Sequence, residues 1–328
     1  MPVYNAACDV NHPQQGLRLS EIPAHDPFVF ADRRNGVYYL YTGGSPRLHG
    51  MDKYGVLTYK STNLSDWEGP YIVFTVPEGC WAHPQHGAWA PEVHAYKGRF
   101  YLFVTLHNND RRLEGEPIQG YAKHWRGSVT AVSDSPEGPF SLLQNESHVL
   151  PETMMTLDGT LFLDDQERPW MVYCHEWIQT IDGTIEAVRF TADLTEKVGE
   201  PIHLFNGSEA LWDNNEAIPE GDIRVYITDG CQLYRTSGGH LIMLWSSYQG
   251  GSYVQTIARS LTGHLEGPWE QLPPLVRDDS GHGMMFQSFD GTWLLILHQL
   301  FECLNRDARC SKWKIQATAS KWFVKLNK

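Results

Sequence analysis

Apolar residues in this chain collect into runs of strand length, and five of these runs each follow a polar or acidic phrase. His25-Asp26-Pro27-Phe28-Val29-Phe30 precedes Val37-Tyr38-Tyr39-Leu40-Tyr41. Ala90-Pro91-Glu92-Val93 precedes Arg99-Phe100-Tyr101-Leu102-Phe103, and Leu157-Asp158-Gly159-Thr160 precedes Pro169-Trp170-Met171-Val172-Tyr173. Thr228-Asp229-Gly230-Cys231 precedes His240-Leu241-Ile242-Met243-Leu244, and Gly281-His282-Gly283-Met284 precedes Thr292-Trp293-Leu294-Leu295-Ile296. The lead residues Asp26, Glu92, Asp158, Asp229 and His282 are separated by 66, 66, 71 and 53 positions. A strand-built repeat of this length predicts blades around an axis, so the expected fold is an all-β, five-bladed β-propeller.

Turn chemistry supports the division. Arg34-Asn35-Gly36, Lys97-Gly98, Asp164-Asp165, Ser237-Gly238-Gly239 and Asp290-Gly291 each fall between a lead strand and its apolar run, where a hairpin needs them. A second repeat closes the units: Gly69-Pro70, Gly138-Pro139, Gly199-Glu200-Pro201 and Gly267-Pro268. Proline cannot donate to a central ladder, which places this element on the outer strand of a blade. The fifth unit, from His282 through Trp313 to Leu326, lacks it. Residues 1–328 thus read as a single propeller domain, with 1–20 as an N-terminal extension or closing strand. A β-sandwich pair is the competing architecture.

Composition narrows the function. A net charge of -13 argues against a nucleic-acid partner, whose phosphates require clustered Lys and Arg. The longest apolar stretches are strand-sized, so no membrane-spanning helix is expected. The start of the chain, Met1-Pro2-Val3-Tyr4-Asn5, has no basic region followed by an apolar core. The six cysteines form no CxxC pair or zinc spacing, and Cys174 and Cys231 read as buried small residues. Together these favour a cytoplasmic location. Nothing in the pattern speaks to oligomeric state.

The first strand of each propeller blade lines the central channel, so matching lead residues converge on one mouth. An isolated Asp there is more often a turn residue. Three Asp in matching positions, beside a Glu and a His, point instead to a pocket with several carboxylates. That chemistry suits hydrolysis of a glycosidic bond, where one carboxylate activates water and another carboxyl protonates the leaving oxygen. Neighbouring charge and burial push the two pKa values apart and so assign the roles. The expected partner is an oligosaccharide, and the chemistry requires no cofactor.

These motifs together resemble glycoside hydrolase family 43, the five-bladed propeller enzymes of clan F, from His25 to about His298. The resemblance is carried by His25-Asp26-Pro27, Trp89-Ala90-Pro91-Glu92-Val93, Asp158-Gly159 and Gly281-His282-Gly283, in that order and spacing. It implies an inverting mechanism on terminal bonds of pentose-containing oligosaccharides, of arabinofuranosidase or xylosidase type. By resemblance Asp26 is the general base and Asp158 the auxiliary carboxylate that orients the acid. His282 matches a histidine near a calcium or other cation on the channel axis. Glu92 matches an acidic position near the active face, His25 borders it, and Trp89 is either a sugar platform or inter-blade packing.

The chain departs from the family at the general acid. Members usually carry Glu at the start of the fourth blade, where this chain has Asp229. Glu176, in Tyr173-Cys174-His175-Glu176-Trp177, ends the hairpin partner of the third lead strand and should return to the same face as Asp158. Glu176 is therefore preferred as acid over Asp229, with Trp177 beside it as a substrate contact. Loss of the acid, leaving a non-catalytic sugar-binding propeller, is the alternative function; a protein-interaction propeller is a third. Arg235, after the fourth lead strand, pairs with a carboxylate across the channel or is a surface residue. His83, His86, His94 and His107 read as substrate or loop contacts in preference to a metal site. The insertion between Asp110 and Arg126 is the expected pocket wall.

Overall fold

Five antiparallel sheets follow one another along the chain. The computed structural model describes residues 9–212, 223–277 and 279–299, and the backbone of 314–317. Blade one contains β1 (Gln14–Leu17), β2 (Phe28–Asp32), β3 (Val37–Gly44), β4 (Gly55–Ser61) and β5 (Trp67–Thr75), with a short helix α1 (Pro46–His49) between β3 and β4. Blade two is β6 (Ala88–Tyr96), β7 (Arg99–Arg112), β8 (His124–Ser133) and β9 (Ser141–Leu142). Blade three is β10 (Thr156–Leu163), β11 (Pro169–His175), β12 (Thr184–Phe190) and β13 (Lys197–Asn206), with α2 (Trp177–Thr180) after β11. Blade four is β14 (Asp229–Arg235), β15 (Leu241–Gln249), β16 (Ser252–Ser260) and β17 (Trp269–Gln271). Blade five shows β18 (Ser280–Gln287), β19 (Trp293–Gln299) and β20 (Lys314–Ala317). The rest of the segment expected to complete it lies outside the described residues.

Within each blade the strands pair in chain order, as a meander. β1 is the exception: it adds to the outer edge of blade one by pairing with β5, so the N-terminal segment extends that blade. All three Gly-Pro dipeptides lie in or directly before an outer strand, and each of these peptide bonds is cis.

The second strands are buried on both faces. Leu40 and Tyr41, Leu102 and Phe103, Val172 and Tyr173, and Leu244 and Trp245 are neighbours pointing to opposite faces, and all are fully buried. This is why the apolar runs are continuous: each blade packs against a neighbour on either side. The core is accordingly a set of layers between blades. One cluster joins blades five, one and two; others fill the gaps between two and three, three and four, and four and five. At the junction of the last and first blades, Arg33 donates to the carbonyls of Gln287, Ser288 and Phe289, and the Tyr38 ring stacks on Phe289 at 3.9 Å.

One backbone feature repeats at the start of every blade. Asp26, Ala90, Asp158, Gly230 and His282 all have positive φ, between 46° and 58°. In blades two to five this residue sits in a β-bulge, where strand register shifts between Trp89 and Glu92, Leu157 and Thr160, Asp229 and Gln232, and Gly281 and Met284. A bulge re-aims a side chain out of the pleat. For a non-glycine residue the left-handed conformation costs roughly 1–3 kcal/mol, which persists only where the surroundings enforce it.

Those surroundings are supplied by the preceding blade. Asp158 N–H donates to Thr105 Oγ1 at 2.9 Å, and Gly159 N–H to Ser128 Oγ at 2.9 Å. His282 N–H donates to Ser246 Oγ at 2.8 Å, and Gly283 N–H to Gln255 Oε1 at 2.6 Å. Asp26 N–H reaches His298 Nδ1 at 3.4 Å. Thr105, Ser246 and His298 all come from the second strand of the preceding blade, so one geometry recurs with different chemistry. The close approach also explains the glycine after Asp158: a Cβ at Gly159 would lie 2.8 Å from Ser128 Cβ and 2.9 Å from Met171 Sδ.

Candidate active site

Asp26, Asp158, Asp229 and His282 meet at the end of the propeller where the lead strands begin. His282 Nδ1 lies 3.2 Å from Asp26 Oδ1, 2.9 Å from Asp229 Oδ1 and 3.9 Å from Asp158 Oδ2. His298 Nδ1 is 3.2 Å from Asp26 Oδ1, and His25 Nδ1 is 3.0 Å from Asp26 Oδ2. The His25 ring stacks on His298 at 4.4 Å. Asp158 Oδ2 accepts the N–H of Gly230 at 3.1 Å, so blade three's carboxylate pins the bulge of blade four. Tyr253 donates its hydroxyl to Asp229 Oδ2 at 2.6 Å.

These contacts separate the protonation states. Burial acts to raise the Asp26 pKa, but the charges of His25 and His282 and hydrogen bonds from His25 and His298 hold it well below the usual carboxylate value. Burial raises Asp158 well above that value, and the adjacent Asp229 adds to the effect. Asp229 moves the other way. Burial opposes its charge, yet hydrogen bonding with Asp158 and the proximity of His282 keep it ionised. The two neighbouring carboxyls are thus pushed apart, Asp158 toward its neutral form and Asp229 toward its charged form. Burial also disfavours the His282 imidazolium, but three carboxylates outweigh it and raise its pKa well above 6.5.

Glu176 lies beside this group, on the turn between β11 and α2. It is buried, and Arg126 Nη1 donates to its Oε2. Burial raises its pKa above 4.5, and the Arg126 charge pulls against that without reversing it. Arg126 Nε donates to His107 Nδ1 at 3.2 Å, and its guanidinium sits 4.9 Å from the ring centre of Trp89. Trp89 remains 44% exposed, with His107 tilted beneath it at 4.0 Å. An exposed indole, backed by a cation and beside a buried carboxyl, forms an open flat surface next to the charged centre. Trp177 meets Tyr121, an exposed residue of the 113–123 loop, in an edge-to-face contact at 5.7 Å. Gln119 of the same loop donates to the Ile223 carbonyl at 3.1 Å. The insertion in blade two therefore leans across blades three and four.

Residues 20–317 match the family profile described as Glycosyl hydrolases family 43. The chain belongs to that family. An endo-arabinase from Bacteroides thetaiotaomicron has a similar solved structure, with 33% identity, a TM-score of 0.77, and coverage of 93% of this chain and 97% of that one. A protein described as a putative beta-xylosidase from Escherichia coli (strain K12) is 23% identical over 261 residues, covering 74% of this chain and 42% of that protein. A probable arabinan endo-1,5-alpha-L-arabinosidase D from Emericella nidulans is 32% identical over 92 residues, 28% of this chain and 21% of that protein. The chain thus spans less than half the length of these two curated relatives. It is a glycosidase of family 43.

Family 43 membership leaves the alignment of lead residues to the structure, which corrects it in two places. Asp26, Asp158 and His282 are true equivalents at the positive-φ position. In blade four that position is Gly230, and Asp229 lies one residue before it, equivalent to His25 in blade one. In blade two it is Ala90, and Glu92 falls two residues later, inside β6. Glu92 is buried with Oε2 2.9 Å from His94 Nε2, so it is paired inside the strand, two residues past the bulge position. Arg235 closes the far end of β14 from Asp229. It ion-pairs with Asp165 and donates to the Gly263 carbonyl at 3.0 Å, so it locks two turns on the opposite rim and does not reach the carboxylates. His83 and His86 stack at 4.0 Å, and their Nδ1 atoms accept the N–H groups of Gln85 and Asn109. Tyr253 and His298 escaped the sequence reading, because neither belongs to a repeated motif. Arg126 was visible only as one end of an insertion.

Proposed function

We propose that this family 43 glycosidase is an inverting enzyme acting on arabinose- or xylose-containing oligosaccharides, with Asp26 as general base and Glu176 as general acid. The observation that carries the assignment is the engagement of Asp229. Both its oxygens face donors, His282 on one side and the Tyr253 hydroxyl on the other, so it is ionised and has no proton to give. Asp26 Oδ1 and Asp229 Oδ1 lie 3.2 and 2.9 Å from the same His282 nitrogen, which ties Asp229 into the hydrogen-bond cluster of the base. Glu176, linked through Arg126 to Trp89 and raised in pKa by burial, meets the requirement for a proton donor.

In this reading Asp26, kept ionised by three histidines, takes a proton from water as that water attacks the anomeric carbon. Glu176 gives its proton to the leaving oxygen from the other side. Asp158, pushed toward its neutral form, limits repulsion among the carboxylates, and Trp89 and Trp177 border the sugar. A calcium beside His282 belongs to the same proposal. Asp158, Asp229 and His282 place three ligand atoms within 4.8 Å, two of them oxygens, a set that suits a hard cation in place of the Nδ1 proton. No step depends on it. A cytoplasmic location is also proposed, since Cys80, Cys174 and Cys231 are free thiols.

Linkage mode and sugar follow from one experiment. Proton NMR during hydrolysis of aryl arabinofuranoside and xyloside donors should show the opposite anomer first; initial release of the same anomer would exclude inversion. Likeness to an endo-arabinase favours a second reading, internal cleavage of an arabinan chain. Linear arabinan separates the two: single pentoses from the outset mean terminal attack, and a ladder of oligomers means internal attack.

A further inference from the structure

We propose that Arg126 is a positioning residue for the proton donor, bridging the Trp89 surface to Glu176 and stabilising the carboxylate that Glu176 becomes as it protonates the leaving oxygen. The inference rests on the reading of Glu176 as acid.

Arg126 projects from β8 and is nearly buried. Every element around it contributes one partner. β6 supplies Trp89, β7 supplies His107, β8 supplies His124 with Nε2 3.5 Å from Arg126 Nη2, and the end of β11 supplies Glu176. The other charged or titratable groups facing this set are His175, Asp229, Arg112 and His86. His107 and His124 cannot balance the Arg126 charge. Burial and the guanidinium keep both neutral, His124 with its pKa lowered to about 4. Among the described residues, Glu176 is the one carboxylate in ion-pair contact with Arg126.

The arrangement fits the chemistry of the step. The proton leaves Glu176 as the bond between the anomeric carbon and the leaving oxygen breaks. Water adds to that carbon and passes a proton to Asp26. The products are two sugars, a protonated Asp26 and an ionised Glu176, and the enzyme resets by exchanging protons with solvent. The new negative charge therefore appears at the atom pair Arg126 already spans. Without Arg126, burial alone would act on Glu176 and make it a weaker acid.

The test uses kcat/KM against pH on one aryl glycoside that the wild type hydrolyses slowly because its leaving group is a strong base. Glu176 must be protonated to act, so activity is lost as pH rises through its pKa. An opposite charge at this range lowers a carboxyl pKa by about 1–3 units. Arg126→Met should therefore move the alkaline limb up by about 1–3 pH units while kcat falls about tenfold or more at the wild-type optimum. Arg126→Lys, which keeps the charge, should return the limb to its wild-type position. Arg126→Gln, which keeps hydrogen bonding without charge, should move it as Met does and serves if the Met variant does not fold. An unmoved limb in both uncharged variants overturns the proposal, as does an equal shift in Arg126→Lys. Glu176→Gln keeps the two readings apart. If its alkaline limb persists, the acid assignment itself is wrong. If its limb vanishes while the uncharged Arg126 variants leave theirs unmoved, only the role of Arg126 fails.

Discussion

Replacing Glu176 with Gln removes the proton and leaves the shape. The side chain is buried against Arg126, and the amide oxygen of Gln can still accept from that guanidinium. Stranding a buried Arg without a partner costs about 3–5 kcal/mol, an upper limit here. Because one hydrogen bond survives, a loss near 1–2 kcal/mol is expected, the difference between charged and neutral bonds. The domain should remain folded at room temperature. The catalytic effect should be larger and selective. General acid catalysis supplies about 10²–10⁴ in rate, or about 3–5 kcal/mol of barrier at 1.36 kcal/mol per decade. That loss should appear in full on an oligosaccharide or alkyl glycoside, whose leaving oxygen needs a proton. It should nearly vanish on a dinitrophenyl glycoside, whose leaving group departs unprotonated. The assay is kcat/KM for a series of aryl glycosides of graded leaving-group basicity, with wild type and variant side by side. A uniform loss across the series would refute the assignment, and so would Asp229→Asn showing the selective pattern while Glu176→Gln does not.

Further consequences can be checked with the same substrates. Asp26→Asn should lower kcat by more than about 10²-fold on every leaving group, with an unchanged circular dichroism spectrum, because water activation is needed whatever departs. Since Asp26 has a lowered pKa and acts ionised, wild-type activity should persist as pH falls and decline only below about 4, its ordinary range; an acid limb near neutrality would contradict this. Gly159→Ala should destabilise the fold by about 1–3 kcal/mol in a urea titration, because its Cβ meets Ser128 and Met171 at a bulge with no room to shift. Arg235→Ala should leave kcat/KM within twofold and cost at most about 1 kcal/mol, as expected for a partly exposed ion pair on the far rim; a large loss of activity would restore it to the substrate pocket.

The sequence alone determined the repeat. Strand-length apolar runs, glycine-rich turns and outer Gly-Pro elements are local signals, and each survives being read a few residues at a time. Asp26, Asp158 and His282 were legible for the same reason: each stands directly before Pro or Gly at the start of an apolar strand. What the tertiary structure decided was register. A bulge moves the inward-facing position by a residue, so Asp229 stands beside the true equivalent and Glu92 passes into the strand interior as a partner of His94. Local sequence cannot show that shift: at blade four the bond that holds it, Gly230 N–H to Asp158 Oδ2, comes from the neighbouring blade. The same holds for the partners that set charge. His298 meets Asp26 across 272 positions, Tyr253 meets Asp229 across 24, and Arg126 meets Glu176 across 50. A carboxyl's proton depends on what lies within a few ångströms in space, and the closing of five blades into a ring is what brings those groups together.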